Sequence, residues 1–417
     1  MAAGRKPRGP GGFLCALARA AAPQISMRKG APGPDVTEYS NNMDLEHYNS
    51  YVKVDLGAIQ RNVERIKAHI GPGHGMIPVV KGNAYGLGTV AVARTLAERC
   101  GIGLIANAHV LESIQIREAG IDVDLMILGA LPPHAIPYAP RYDIQLTVFN
   151  GETVRLLSAA CRREGKLGKV HIKLETGLGR IGVKPGPDLE RLLDEIERAG
   201  NLEIVGAFTH YATATQQQSQ YAKGQFALFQ QGMEQLYARG IHPAYVHTAS
   251  TGATVWFKDS YCTHVRCGIL YMGYSNLDDR SNPLGVEEAA TWRAFITNVK
   301  QVQPGESVGD NRHFIARQPT RVATIDVGYS AGLNQPLALQ GGPVLVHGQK
   351  TRYLGICMDQ SFIDVTGIDC KLFDEVTLLG WDDGRLLSLY DVADFAQQNP
   401  HSILSAITPV VLRVYGG

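Results

Sequence analysis

Val170-His171-Ile172-Lys173-Leu174-Glu175-Thr176-Gly177-Leu178-Gly179-Arg180-Ile181-Gly182 is an apolar run that breaks into a literal G-x-G-x-x-G. A strand followed by that glycine pattern first suggests a dinucleotide-binding open sheet. That fingerprint needs a helix opening within the motif and an acidic residue about 20 positions on at a strand end. Here Lys184-Pro185-Gly186-Pro187 delays the next helix, and Glu195 and Glu197 fall inside a helical pattern. The open-sheet reading fails, and the run takes its place as the fifth of a series.

The other members of the series are Ile77–Lys81, Gly103–Asn107, Leu125–Leu128, Ile144–Phe149, Ile204–His210, Ala244–Thr248 and Val265–Leu270. Helical patterns separate most of them. Ile59, Val63, Ile66 and Ile70 recur at helical offsets, as do Phe226, Phe229, Met233 and Leu236. Eight strands alternating with helices predict an α/β fold, a (β/α)8 TIM-type barrel. After residue 285 the rhythm changes to period two. Val344–Val346 and Arg352–Ile356 flank His347-Gly348-Gln349-Lys350 and read as a hairpin, with further strands at Arg321–Val327, Phe362–Val365 and Glu375–Leu379. The expected organisation is an N-terminal extension over 1–48, a barrel over 49–285 and a mostly β C-terminal domain over 286–417.

Composition narrows the function. The 417 residues carry 40 Lys+Arg against 39 Asp+Glu, a net charge of +1, with 45% hydrophobic and 19% charged residues. A disordered chain is excluded, and the electrostatic footprint of a nucleic-acid binder is missing. No apolar run approaches the roughly 20 residues of a membrane-spanning helix. The neutral total is uneven: residues 1–34 hold Arg5, Lys6, Arg8, Arg19, Arg28 and Lys29 and no acid, so the rest carries −5. That segment reads as an unstructured extension, with an organellar transit peptide as the alternative. Seven scattered cysteines, none in a C-x-x-C pair, predict no disulfide framework, no metal site and a reduced, cytoplasmic protein.

Barrel enzymes keep their chemistry at the C-terminal ends of the strands. The first such end reads Val79-Val80-Lys81-Gly82-Asn83-Ala84-Tyr85-Gly86-Leu87-Gly88. A lysine leaving an apolar strand at the barrel mouth has a lowered pKa, which suits a covalent nucleophile, and Gly86 and Gly88 would let the backbone approach a ligand. A surface lysine is the plainer alternative. The remaining ends carry Lys173 and Arg180, then Thr209-His210-Tyr211-Ala212, then His247-Thr248-Ala249-Ser250-Thr251, then Arg266-Cys267-Gly268-Ile269.

Val79–Gly86 resembles the pyridoxal-phosphate lysine motif of alanine racemases. The resemblance continues, in the family's order, through Lys173–Arg180, Thr209–Ala214 and Arg266–Ile269. It crosses into the second domain at Gly328-Tyr329 and Cys357-Met358-Asp359-Gln360, covering roughly residues 50–417. It implies a pyridoxal 5'-phosphate-dependent isomerase that interconverts L- and D-alanine, and so supplies a peptidoglycan precursor, working as a homodimer with shared active sites. By the same resemblance Lys81 binds the cofactor and serves one face of the substrate, while Tyr329 of the partner subunit serves the other. Arg266, oriented by His210, faces the pyridine nitrogen. Tyr85, Thr251, Gly268 and Ile269 hold the phosphate. Arg180 bears on the cofactor phenolate or substrate carboxylate, beside a Lys173 that is carbamylated in some members. Met358 lines the substrate pocket.

The departures from the family lie at the gate. Ser307-Val308-Gly309 and Pro400-His401-Ser402 stand where the family usually has tyrosines, and Gly328-Tyr329-Ser330-Ala331-Gly332 and His247–Thr251 are also altered. They open the alternative of a serine or broader-specificity racemase. A decarboxylase of the same architecture would lack both the Ala-Tyr-Gly and the Cys-Met-Asp-Gln segments. A non-enzymatic cofactor carrier of the barrel-only kind would lack residues 286–417.

Overall fold

The computed structural model describes residues 49–417, so the extension expected over 1–48 lies outside the described residues. After a first strand β1 (Ser50–Asp55) come eight strands: β2 (Gly75–Pro78), β3 (Leu104–Asn107), β4 (Asp124–Ile127), β5 (Ile144–Val148), β6 (Gly168–Lys173), β7 (Leu202–Phe208), β8 (Tyr245–His247) and β9 (His264–Cys267). They lie parallel in the order β2-β9-β8-β7-β6-β5-β4-β3. Val79 bridges Ala106, and the Val80 amide donates to the Ala106 carbonyl at 2.9 Å, closing the ring into a barrel. Each of the eight runs read from the sequence becomes a barrel strand. Both faces are covered, so apolar residues dominate the strands, with Gln145, His171, Lys173 and Arg266 among them as buried polar side chains. Ile77, Leu104, Met126 and Phe208 fill the interior, while alternate residues such as Ile105, Leu125 and Ile172 pack outward under the helices.

The helix Leu56–Ile70 buries Ile59, Val63, Ile66 and Ile70 as its periodicity predicts, and the Asp55 carboxylate caps it by accepting from the Ala58 amide. The helix Gln220–Ala238 does the same with Phe229, Met233 and Leu236. Helix Pro187–Ala199 begins with a proline in its first turn, as the Lys184–Pro187 stretch suggested. Among the described residues no helix is long and apolar enough to cross a membrane.

The C-terminal part holds β10 (Ala290–Val302), the small hairpin β11 (Ser307–Val308) and β12 (Phe314–Ile315), then β13 (Thr320–Ile325), β14 (Pro343–Val346), β15 (Gln349–Ile356), β16 (Ser361–Asp364), β17 (Glu375–Asp382), β18 (Arg385–Leu387) and β19 (Leu412–Gly416). The nine-stranded sheet runs β18-β17-β14-β15-β16-β13-β10-β1-β19, and β17 also pairs with β10, so its centre closes on itself. The expected hairpin is present, but its turn is only His347-Gly348, both at positive φ. Gln349 and Lys350 are already paired.

The domain boundaries read from the sequence are displaced in one respect. Ser50–Asp55, placed with the barrel, belongs instead to the C-terminal sheet. It lies antiparallel to β10 and parallel to β19. From Ser50 onward the chain leaves the β sheet, builds the barrel and returns.

Candidate active site

The strand ends open into a cavity of about 800 Å³ at the C-terminal mouth of the barrel. Its wall includes Lys81, Lys173, Arg180 and Arg266 and not one aspartate or glutamate. Four basic side chains without a carboxylate form a site for an anion.

Lys81 opens a tight left-handed turn. Gly82, Asn83, Ala84 and Tyr85 have φ of 66°, 57°, 49° and 51°. Such geometry costs roughly 1–2 kcal/mol per non-glycine residue, so the surroundings must impose it. They do so through Asn83, whose amide donates to Glu112 Oε1 at 3.0 Å and whose Oδ1 accepts from the Thr89 amide at 3.0 Å. The turn throws the Lys81 side chain into the cavity, its Nζ 5.9 Å from the Tyr85 ring centroid. Partial burial, and then Arg180 and Arg266, lower its pKa. A fraction of neutral amine is what a covalent nucleophile requires.

Arg266 is fully buried and held from all sides. Nη1 donates to His247 Nδ1 and to the His247 carbonyl, both at 2.7 Å; Nη2 donates to the carbonyls of Thr209 at 2.7 Å and Thr248 at 3.2 Å, and to His210 Nδ1 at 3.2 Å. Burial draws its pKa down to about 10, which leaves it protonated near neutrality. His210 and His247 are pushed well below the usual histidine range by burial and then by Arg266, so both stay neutral and accept. Lys173, also buried, sits 4.8 Å over the Phe208 ring, and burial followed by Arg266 and Arg180 drives its pKa well down.

At the other end of the cavity the Thr251 hydroxyl accepts from the Gly268 amide at 3.2 Å. A Cβ on Gly268 would stand 2.3 Å from the Tyr85 hydroxyl, so only glycine leaves that corner open. Hydroxyls, a backbone amide and a cationic surround make a donor set that suits a phosphate.

Lys81, Tyr85, Arg180, His210, Thr251, Arg266 and Gly268 therefore line one cavity. Ile269 is buried immediately behind it. Tyr329 and Met358 do not enter it. They lie together on the β domain, where the Ser330 amide donates to the Met358 carbonyl at 2.9 Å, and their side chains are 43% and 61% exposed. Gly86 and Gly88 differ from expectation as well, since neither faces a ligand. A Cβ on Gly86 would meet the Leu404 carbonyl at 2.2 Å, and one on Gly88 the Tyr415 hydroxyl. Their role is close packing against the C-terminal segment. The glycines of the G-x-G-x-x-G are spoken for too. Glu175 accepts from the amides of Gly177 and Gly179, so the chain's own carboxylate fills the place a phosphate would take. Burial raises that carboxyl, but those hydrogen bonds outweigh it and hold it low.

Two residues of the site escaped the sequence reading of roles. His247 contacts Arg266 more closely than His210 does, though the family resemblance assigns it no role. His401 stands where the family usually has a tyrosine, and it lines the cavity with its ring 5.5 Å from that of Tyr85.

The family models for the alanine racemase N-terminal and C-terminal domains match residues 54–276 and 289–415. The chain belongs to the alanine racemase family. An alanine racemase of Caldanaerobacter subterraneus is 33% identical over 366 residues, 87% of this chain and 94% of that protein. The crystal structure of the Bacillus anthracis alanine racemase with bound L-Ala-P is 32% identical and superposes with a TM-score of 0.84, covering 89% of this chain and 96% of the other. A histidine racemase from Leuconostoc mesenteroides superposes with a TM-score of 0.81 at 25% identity, over 89% and 99% of the two chains. As an alanine racemase this chain is an isomerase that uses pyridoxal 5'-phosphate, and the cationic cavity fits that cofactor.

Proposed function

We propose that alanine is racemised by two opposed proton carriers, Lys81 of one chain and Tyr329 of a second copy, in a homodimer that completes each cavity across its interface. The observation carrying this reading is the separation of the two side chains. Lys81 faces the cavity from below, whereas Tyr329 and Met358 stand exposed on the β domain of the same chain, outside that cavity. A bulky aromatic and a methionine side by side on a surface suit burial against a partner.

Within each cavity, Tyr85, Thr251 and the amides of Gly268 and Ile269 would hold the cofactor's phosphate, and Arg266 would donate to its pyridine nitrogen. Pyridoxal phosphate supplies the electron sink that makes the substrate α-proton labile. Arg266 is effectively never deprotonated, so it gives the ring nitrogen a hydrogen bond without giving it a proton. A ring left unprotonated withdraws electrons less strongly, which favours prompt return of a proton over side reactions. Arg180 would bind the substrate carboxylate; burial first, and then the positive charges of Arg180 and Arg266, keep a share of the Lys81 and Lys173 amines neutral. A neutral Lys173 is also the form that carbamylation requires. Met358 of the second copy would close the substrate pocket. The same reading places the enzyme in the cytoplasm, supported by six described cysteines that are all unpaired.

Mixing variants tests the shared site. Lys81→Ala and Tyr329→Phe should each racemise alanine poorly, yet co-expressed they should form mixed dimers with one intact site and recover a substantial part of wild-type activity. No recovery in verified mixed dimers would place both groups within one chain. A second reading, broader specificity, is favoured by His401 in place of a tyrosine at the cavity wall and by the histidine racemase among the structural neighbours. Incubation with L-serine and L-histidine in deuterium oxide, following α-deuteration, decides it.

A further inference from the structure

The helix Pro400–Ser405 lies over the Lys81–Tyr85 turn and lends the cavity two polar side chains, His401 and Ser405. The His401 ring packs against Tyr85, whose hydroxyl marks the Gly268 corner. Its Nδ1 is committed to Asn399 Oδ1 at 2.5 Å, and Asn399 Oδ1 also accepts from the His401 amide at 2.9 Å, capping the helix. Nδ1 must therefore carry the hydrogen. That fixes the tautomer and leaves Nε2 as the one nitrogen able to gain a proton, with no hydrogen-bond partner among the described residues.

We propose that His401 is a titratable contact for the cofactor phosphate, which takes up a proton as the phosphate binds and so makes cofactor retention weaken as pH rises. The inference rests on the phosphate placement at Tyr85, Thr251 and Gly268 given above. The groups facing His401 are Lys81 and Tyr85 from the turn, with Arg180 and Arg266 farther across the cavity. Its own helix adds Ser402 and Ser405, and Asn399 caps it; none of these titrates. Arg413 packs behind the turn but spends its guanidinium on the carbonyls of Gly86, Ile407, Thr408 and Val411. Tyr329 of a second copy would enter from the far side.

Without a ligand, burial and then Lys81 hold the His401 imidazole down at about 4, so it is neutral at pH 7. A phosphate dianion beside Nε2 reverses the local field and favours the imidazolium, which then donates Nε2–H to it. A group that gains a proton on binding makes affinity fall with rising pH, by up to about tenfold per pH unit for one full proton. Lys81 pulls the other way, because its covalent bond needs the neutral amine. The His401 contribution is thus the difference between wild type and a variant.

The holoenzymes of wild type, His401→Gln and His401→Tyr are dialysed to equilibrium against graded pyridoxal phosphate at pH 6, 7 and 8. Bound cofactor is read by absorbance, and the series is repeated with pyridoxal, which lacks the phosphate. The affinity advantage of wild type over His401→Gln should grow about tenfold from pH 8 to pH 6 with pyridoxal phosphate and stay flat with pyridoxal. His401→Tyr, restoring a hydroxyl, should bind the phosphate form without that pH trend, which also guards against a folding defect in the glutamine variant. A flat advantage with pyridoxal phosphate, or the same slope with pyridoxal, overturns the proposal. If wild type binds both compounds alike, the phosphate placement falls and this inference with it. A phosphate preference that Thr251→Ala weakens, with no slope traceable to His401, removes the inference alone.

Discussion

Arg266 shows how a buried cation can be made indifferent to its surroundings. Its guanidinium satisfies three backbone carbonyls and two imidazole nitrogens at the barrel mouth. Replacement by leucine leaves those five acceptors without their donor, and buried groups so stranded cost about 3 kcal/mol in sum. Arg266→Leu should lower the midpoint of chemical unfolding accordingly, whether or not cofactor is bound. An unchanged midpoint would mean that water replaces the guanidinium. The histidines beneath it set a pH dependence. His171 and His247 are buried and His210 is half-buried, all three are held neutral, and His171 is pushed down to about 3 by burial and then His264. Their unfolded pKa is near 6.5. Below that value the unfolded chain binds protons that the folded chain refuses, so stability falls as pH drops from 6.5 toward 3. Each such histidine contributes up to about 1.4 kcal/mol per pH unit. His171→Gln should make the acid limb of a stability-against-pH curve shallower by about that slope.

At the scale of elements, the barrel was legible because most of its strands are buried on both faces and announce themselves as short apolar runs. The β domain was only half legible. Ala290–Val302 buries every second residue over its first half, but Asn298 and Lys300 interrupt the alternation and its partners are remote in sequence. Ser50–Asp55 becomes a strand by pairing with both Ala290–Val302 and Leu412–Gly416, and Leu412–Gly416 by pairing with Ser50–Asp55, partners far away in sequence. The roles of Gly86 and Gly88 were illegible for the same reason, since what they approach is the far end of the chain. Gly86 has φ of 91° and faces the Leu404 carbonyl. Gly86→Ala would add strain at that φ and push the helix Pro400–Ser405, with His401, off the Lys81 turn. It should destabilise the protein by about 2 kcal/mol and weaken cofactor retention in dialysis. A loss of stability with full retention would uncouple the helix from the site.

Across the whole molecule, the interleaving of the two domains has a thermodynamic consequence. β1 leaves the β sheet directly into the first barrel helix, and β19 returns beside it to place Tyr415 against Gly88 of the active-site turn. Arg413 donates to the Gly86 carbonyl at 2.8 Å, and Asn62 of that first helix holds the domain connection by donating to the carbonyls of Tyr271 and Glu287 and accepting from the Glu287 amide. Neither domain can open without exposing the other's apolar surface, so they should unfold in one cooperative transition rather than two. The three tryptophans report on this by position, Trp256 in the barrel and Trp292 and Trp381 in the β sheet. Unfolding curves of a Trp256→Phe variant and of a Trp292→Phe, Trp381→Phe variant should each coincide with the far-ultraviolet circular dichroism curve of the same variant. Deleting residues 410–417 removes β19, its contact with β1 and the Arg413 tie at once, and should lower both tryptophan transitions together. If the β-sheet signal melts first while the Trp256 signal stays at its wild-type midpoint, the domains are independent and the terminal strands are mere attachments.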